Sequence, residues 1–259
     1  MTWKRIPNES YHNELTTYLS SSDLRRLLRS PAHYRNFQKL DSPALAFGTL
    51  VHTFVLEPDV AKARYRARAE VDGRTKEGKS IRELEAKLAA DEQVEFVSAS
   101  DYNAAKAITD SVYASVGSSG ILTSGMAEVS GLTELCGVNV KVRPDYLRED
   151  IIIDLKTTQD ARPEAFLKSV INFGYEVQAA LYVDAAQAID GLKRRFVWIA
   201  AEKEAPYAVS VFEASDEMLE RGRRLYKQAI ETYTRCVTFD DWPGYTTEIQ
   251  TLELPGWAK

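Results

Sequence analysis

Val140 to Thr158 reads VKVRPDYLREDIIIDLKTT, and this stretch decides the fold. It holds Pro144-Asp145, an acidic turn at Arg148, Glu149 and Asp150, the run Ile151-Ile152-Ile153, and then Asp154-Leu155-Lys156. Strand side chains alternate, so Asp154 and Lys156 share one face while Ile153 and Leu155 share the other. An isoleucine run suits a strand covered on both sides, where an unpaired carboxylate is costly. A solvated edge pair is the plainer reading of Asp and Lys two apart, and the apolar run argues against it. With Asp145 on the preceding strand, two carboxylates and an ammonium converge at the strand ends, which describes a divalent-metal site with a cationic neighbour.

The 259-residue length suits one large domain spanning 1–259, helical over 1–120 and sheet-based over 121–259. Hydrophobic content of 44% and charged content of 27% are those of a soluble protein. No apolar stretch reaches membrane-spanning length and MTWKRIPNES lacks a signal-peptide core, so no membrane partner and a cytoplasmic address are expected. Cys136 and Cys236 have neither metal-ligand spacing nor a disulfide framework. The net charge of -5 is unevenly spread: residues 1–90 carry 16 Lys and Arg against 11 Asp and Glu, the rest 17 against 27. Basic residues therefore gather in the first third, by ordinary scatter or to meet an anionic partner.

Upstream, Ser20 to Asp23 before Leu24, Leu27 and Leu28 predicts a capped packing helix that Pro31 interrupts. Ala44 to Glu57 reads as a buried helix, apolar nearly all round, ending before Pro58. His52 lies in its middle, where a lone histidine is more often a core residue than a ligand. Arg64, Arg66 and Arg68 align on one edge if their segment is extended. The stretch VDGRTKEGKS reads as a loop offering Arg74, Thr75, Lys76 and Lys79, either to phosphates or simply to solvent. Two helices follow, from Ile81 and from Asp101, and then a turn or linker at Gly117-Ser118-Ser119-Gly120.

From Met126 the pattern turns to strands. Ala127–Cys136 and Val138–Leu147 are expected to form a hairpin about Gly137, with Asp150–Thr157 a third strand. Pro163 opens a helical region that Gly174 breaks, and the helix from Tyr175 places Gln178 and Tyr182 on one face. Strands at Arg195–Ala201 and Tyr207–Glu213, a long helix from Asp216, and a tail packing through Trp242, Tyr245, Leu252, Leu254 and Trp257 complete the chain. The order predicts an α/β (α+β) fold, a mixed central β-sheet flanked by helices.

Pro144-Asp145, Asp154-Leu155-Lys156 and Gln178, with a His52-bearing helix upstream, resemble the PD-(D/E)XK nuclease superfamily and its restriction-endonuclease-like core. Within it, the chain looks more closely like the C-terminal nuclease domain of RecE-type (exonuclease VIII) phage and prophage 5′→3′ exonucleases. The likeness runs through Gly48-Thr49-Leu50-Val51-His52, Val55-Leu56-Glu57-Pro58, Arg74 to Lys79, Val177-Gln178, Tyr182 and the terminal Leu254-Pro255-Gly256-Trp257-Ala258-Lys259. Without the long N-terminal extension of some relatives, the chain looks like a stand-alone nuclease domain.

The resemblance implies a Mg²⁺-dependent exodeoxyribonuclease, with Mn²⁺ as a substitute, that degrades one strand of linear duplex DNA in phage-type recombination. It implies His52, Asp145, Asp154 and the Leu155 carbonyl as metal ligands and Lys156 as the group orienting the attacking water. Gln178 and Tyr182 would position water, phosphate or DNA end, and Glu128 would be the first-strand acid, with Glu134 an alternative by parity. Arg74, Thr75, Lys76 and Lys79 would guide the DNA backbone. Implied partners are double-stranded DNA ends, a ring-shaped homo-oligomer such as a tetramer, and a single-strand annealing recombinase of RecT type. A structure- or site-specific endonuclease and a non-catalytic DNA-binding scaffold are the competing readings.

Overall fold

The computed structural model describes residues 2–38 and 42–254. Helices α1 (Asn8–Asn13), α2 (Ser21–Arg29), α3 (Pro31–Arg35), α4 (Pro43–Leu56) and α5 (Pro58–Arg64) come first. Strand β1 (Tyr65–Ala67), helix α6 (Lys76–Glu92), strand β2 (Glu95–Val97) and helices α7 (Ala99–Ala114) and α8 (Val116–Ile121) follow. The strand-rich part holds β3 (Met126–Ala127), β4 (Gly131–Leu135), β5 (Val138–Val142), β6 (Tyr146–Leu147) and β7 (Ile151–Thr158). Helices α9 (Pro163–Phe173) and α10 (Tyr175–Asp190), strands β8 (Arg195–Glu202) and β9 (Val209–Glu213), and α11 (Asp216–Phe239) complete it.

Five strands form a mixed sheet in the order β3-β6-β7-β8-β9, in which β7 and β8 are parallel and the other pairs antiparallel. The crossover from β7 to β8 is α9 and α10, as a parallel pair requires. The predicted alternation on β7 decides which residue meets which layer. Ile151, Ile153 and Leu155 pack with Leu50, Val51 and Val55 of α4 and Ile108 of α7, whereas Ile152 joins the opposite core, built largely on α2, α10 and α11. Both faces are covered, so Asp154 is only 1% exposed.

Local chemistry sets many boundaries as expected. Ser20 caps α2 reciprocally with Asp23, and Pro163 occupies the first turn of α9. Gly174 ends α9 in the left-handed conformation at φ +64°, which glycine adopts without a Cβ penalty. Gly222 lets α11 cross α10 closely, since a Cβ there would lie 2.1 Å from the Glu176 carbonyl oxygen.

Several expectations need correction. The hairpin is shorter than predicted: β4 and β5 pair alone in a two-stranded sheet, while β3 and β6 join the main sheet. Pro144 lacks an N–H to continue the ladder, and the φ of +52° at Glu128 turns the other strand at the same level. Gly117 to Gly120 is not a linker but part of α8. The segment VDGRTKEGKS is half loop, since the Thr75 hydroxyl accepts from the Gly78 N–H and starts α6 at Lys76. Helix α4 is not buried all round; one side faces the core, and Leu45 is 60% exposed on the other.

The tail packs through Trp242, which stacks on Tyr34, and Tyr245, whose hydroxyl accepts from Arg29. Leu252 and Leu254 are exposed rather than packed. Trp257 and the stretch Pro255 to Lys259 lie outside the described residues. Among the described residues, no helix is long and apolar enough to cross a membrane.

Candidate active site

The site is assembled where β6, β7, α4 and α10 meet. Asp145 lies just before β6 and accepts a 2.7 Å hydrogen bond from the Leu155 N–H through Oδ2, which ties it to the middle of β7. Its main-chain carbonyl accepts from the Glu128 N–H at 3.1 Å, so both acids sit at the same end of the sheet. Across from them, His52 projects from α4 and brings Nδ1 to 3.5 Å from Asp145 Oδ2. One ligand atom each from His52, Glu128 and Asp145 lies within 4.8 Å of the other two.

Asp154 and Lys156 occupy the α10 side of β7. The Gln178 amide donates to Asp154 Oδ1 at 2.8 Å, and Lys156 Nζ stands 2.5 Å from Asp154 Oδ2. That ammonium is the ion-pair partner of the buried Oδ2. Two carboxylates and an imidazole with ligand atoms this close together, beside the buried Asp154, fit a divalent cation that takes mainly oxygen ligands. His52, Glu128 and Asp145 are the groups that would hold it, with Asp154 and the Leu155 carbonyl the further ligands that the resemblance implies.

Crowding shows in the proton affinities. Burial, reinforced by the charge of Asp145, pushes the Glu128 carboxyl up to about 8. Burial likewise raises Asp154, to about 6, against the opposing pull of Lys156. Burial lowers Lys156, but the charges of Asp154 and Asp145 outweigh it and hold the ammonium above its ordinary value. Such perturbed groups cluster at functional sites, though structural ion-pair networks also produce them.

The cluster opens into a cleft of about 930 Å³, lined among others by Arg5, Thr49, His52, Glu128, Arg143 and Tyr175. Arg143 is fixed there by hydrogen bonds to Ser130, Asn8 and the Ile6 carbonyl, and stacks 4.0 Å over Tyr11. Sequence reasoning passed over Arg143 and Tyr175 as site residues. Their adjacency to Pro144 and to the Gln178 helix was the available signal.

Other expected residues fall elsewhere. Tyr182 is buried at 7% exposure, its ring edge-on to Phe196. Neither it nor Gln178, 8% exposed, is among the cleft-lining residues, and burial, helped by the charges of Asp154 and Asp145, raises its phenol. Glu134 is exposed on β4 in the separate hairpin, and Glu128 lies in the turn between β3 and β4 rather than on a strand. Arg74, Thr75, Lys76 and Lys79 are exposed at the start of α6 and are not among the cleft-lining residues. The expected cationic edge is divided: Arg64 lines the cleft while pairing with Glu95, Arg66 binds main-chain carbonyls, and Arg68 faces Glu85.

A family model described as a PDDEXK-like domain of unknown function, DUF3799, matches residues 20–255. The chain belongs to this family. The PDDEXK-like assignment agrees with the mixed sheet and with Asp145, Asp154 and Lys156 on neighbouring segments. Among solved structures, a candidate exonuclease from Eubacterium rectale is similar at a TM-score of 0.68 and 16% identity, covering 97% of this chain and 96% of its own. That likeness is one of fold. A phage-related exonuclease from Haemophilus somnus 129PT aligns over 88% of this chain and 99% of its own at 11% identity, with a TM-score of only 0.33. No curated protein matches the sequence.

Proposed function

We propose that this PDDEXK-like protein is a Mg²⁺-dependent 5′→3′ exodeoxyribonuclease that degrades one strand of linear double-stranded DNA. The observation that carries the nuclease reading is the convergence of His52, Glu128 and Asp145 beside the Asp154–Lys156 pair at the floor of an open cleft. The exonuclease character draws support from the resemblance to RecE-type enzymes and from the description of the Eubacterium rectale protein. The 5′→3′ direction, a role in phage-type recombination, a ring-shaped homo-oligomer and a single-strand annealing partner rest on that resemblance alone, and a cytoplasmic address on the sequence pattern of the N-terminus.

A divalent cation, when bound, supplies Lewis-acid polarisation of the scissile phosphate and lowers the pKa of a bound water. The chain's own groups do the rest. Lys156, held cationic by two carboxylates, orients the attacking water and favours loss of its proton. Gln178 fixes the Asp154 carboxylate so that Oδ2 keeps its direction. Leu155 N–H does the same for Asp145.

The test is digestion of a linear duplex labelled at one 5′ end, with Mg²⁺ and with chelator, beside a closed circular duplex. Mg²⁺-dependent release of the labelled nucleotide, with the circle spared, is expected. Cutting of the circle would make the protein an endonuclease, and no metal-dependent release from either would leave a DNA-binding scaffold.

A further inference from the structure

Tyr175, the first residue of α10, lines the cleft and carries the Lys156 ammonium 4.9 Å from its ring centroid. Phe173 stacks on Tyr175 with centroids 5.6 Å apart and planes 29° from parallel. At most about 10.5 Å, the sum of those two separations, therefore lies between Lys156 and the Phe173 ring. Yet Phe173 is 58% exposed, although a phenylalanine gains most from burial.

The ring is held where it is. Gly174 turns the chain in the left-handed conformation between the two aromatics, and the Arg25 guanidinium donates to the Phe173 carbonyl at 2.8 Å. Arg25 also donates to Ser21 O and Ser22 Oγ, but the ion pairs among the described residues do not include it. Helix α9 carries one cation, Lys168, and its one acid, Glu164, lies at its far end, in the first turn. An exposed aromatic ring stacked on a cleft-lining tyrosine, with the Arg25 guanidinium at its main chain, matches an unpaired nucleotide: a π-face for the base and positive charge for its phosphate.

We propose that Phe173 and Tyr175 form a stacking platform for a nucleobase next to the scissile phosphate, holding the frayed strand so that its backbone runs past Lys156. This deepens the nuclease reading and rests on it for the position of the scissile bond, but stacking itself can be measured without cleavage. The other occupant such a face could have is a second copy of the chain.

The experiment uses the full chain in chelator and a duplex with a short single-stranded end, carrying the fluorescent base 2-aminopurine at each unpaired position in turn. Wild-type protein is expected to quench one position, Phe173→Ala to lose that quench and bind about 5- to 100-fold more weakly, and Phe173→Trp to restore both. An abasic residue at the quenched position should erase the difference between wild type and Phe173→Ala. In turnover, Phe173→Ala should raise KM with kcat little changed. Quenching by a wild-type protein that cuts no DNA supports the platform while removing the nuclease reading. Equal quenching by wild type and Phe173→Ala, or none by wild type, overturns it. So does a Phe173→Ala protein whose oligomeric state changes in sedimentation while its quench does not.

Discussion

The Gln178 side chain on α10 donates a 2.8 Å hydrogen bond to Asp154 Oδ1 on β7, joining the crossover helix to the strand it leaves. Residues 24 apart in sequence thereby fix the direction of a carboxylate whose other oxygen pairs with the Lys156 ammonium. Gln178→Ala should lower metal affinity or kcat by about 10- to 100-fold, the usual loss when a ligand's outer partner is removed. Asp154→Ala should abolish turnover. Metal titration beside steady-state cleavage checks both, and an unchanged Gln178→Ala enzyme would remove Gln178 from the site.

Lys156→Met tests the ammonium separately. Loss of a positioned charge at the reacting centre should cost about 10²- to 10³-fold in kcat. It also removes the charge that draws Asp154 down, so that carboxyl should rise beyond about 6. Single-turnover cleavage across pH is the measurement, and duplex binding in chelator should be little changed. Wild-type rates from Lys156→Met would dismiss its catalytic role.

Stability should fall with rising pH in the metal-free protein. Glu128 and Asp154 are both raised in the fold, to about 8 and about 6, so the unfolded chain releases these protons first. The folded state then binds more protons than the unfolded one, and stability is lost progressively from the ordinary carboxylate range up to about pH 8. Mg²⁺ held by the ionised cluster should reverse this, raising Tm more at about pH 8 than at about pH 5.5. Thermal scans with and without Mg²⁺ decide it, and Glu128→Gln with Asp154→Asn should flatten the decline.

The start of α6 separates charge from capping. Replacing Arg74, Lys76 and Lys79 together by Ala should weaken duplex binding and reduce the slope of log affinity against log salt by up to about 3. An unchanged slope would mean that this surface does not meet DNA. Thr75→Ala should instead cost about 1 kcal/mol of stability, because its hydroxyl accepts from the Gly78 N–H.

Gly222→Ala probes the α10–α11 crossing. The added methyl would meet the Glu176 carbonyl oxygen and the Ala180 side chain, at 2.1 and 2.8 Å, so a loss of about 1–3 kcal/mol or more is expected. Because α10 carries Gln178, activity should drop beyond what unfolding explains. Denaturant titration beside cleavage rates measures the two.

The sequence by itself determined whatever depends on local backbone geometry. Alternation along Ile151 to Lys156 separated the core-facing residues from the Asp154–Lys156 face, and Ser20, Pro163 and Gly174 marked helix ends through caps and allowed φ angles. It also supplied the residue types of the site, with His52 and Gln178 entering through family resemblance. Only the tertiary structure decided which of these groups meet. Glu128 reaches the cluster through a left-handed turn that strand parity could not foresee, and Tyr182, four residues from Gln178, packs edge-on to Phe196. The cations of Arg64 and Arg68 are taken up by Glu95 and Glu85, residues far along the chain. Periodicity is written in neighbouring residues, whereas the convergence of charges depends on how helices cross a sheet, and that is set by packing between segments distant in sequence.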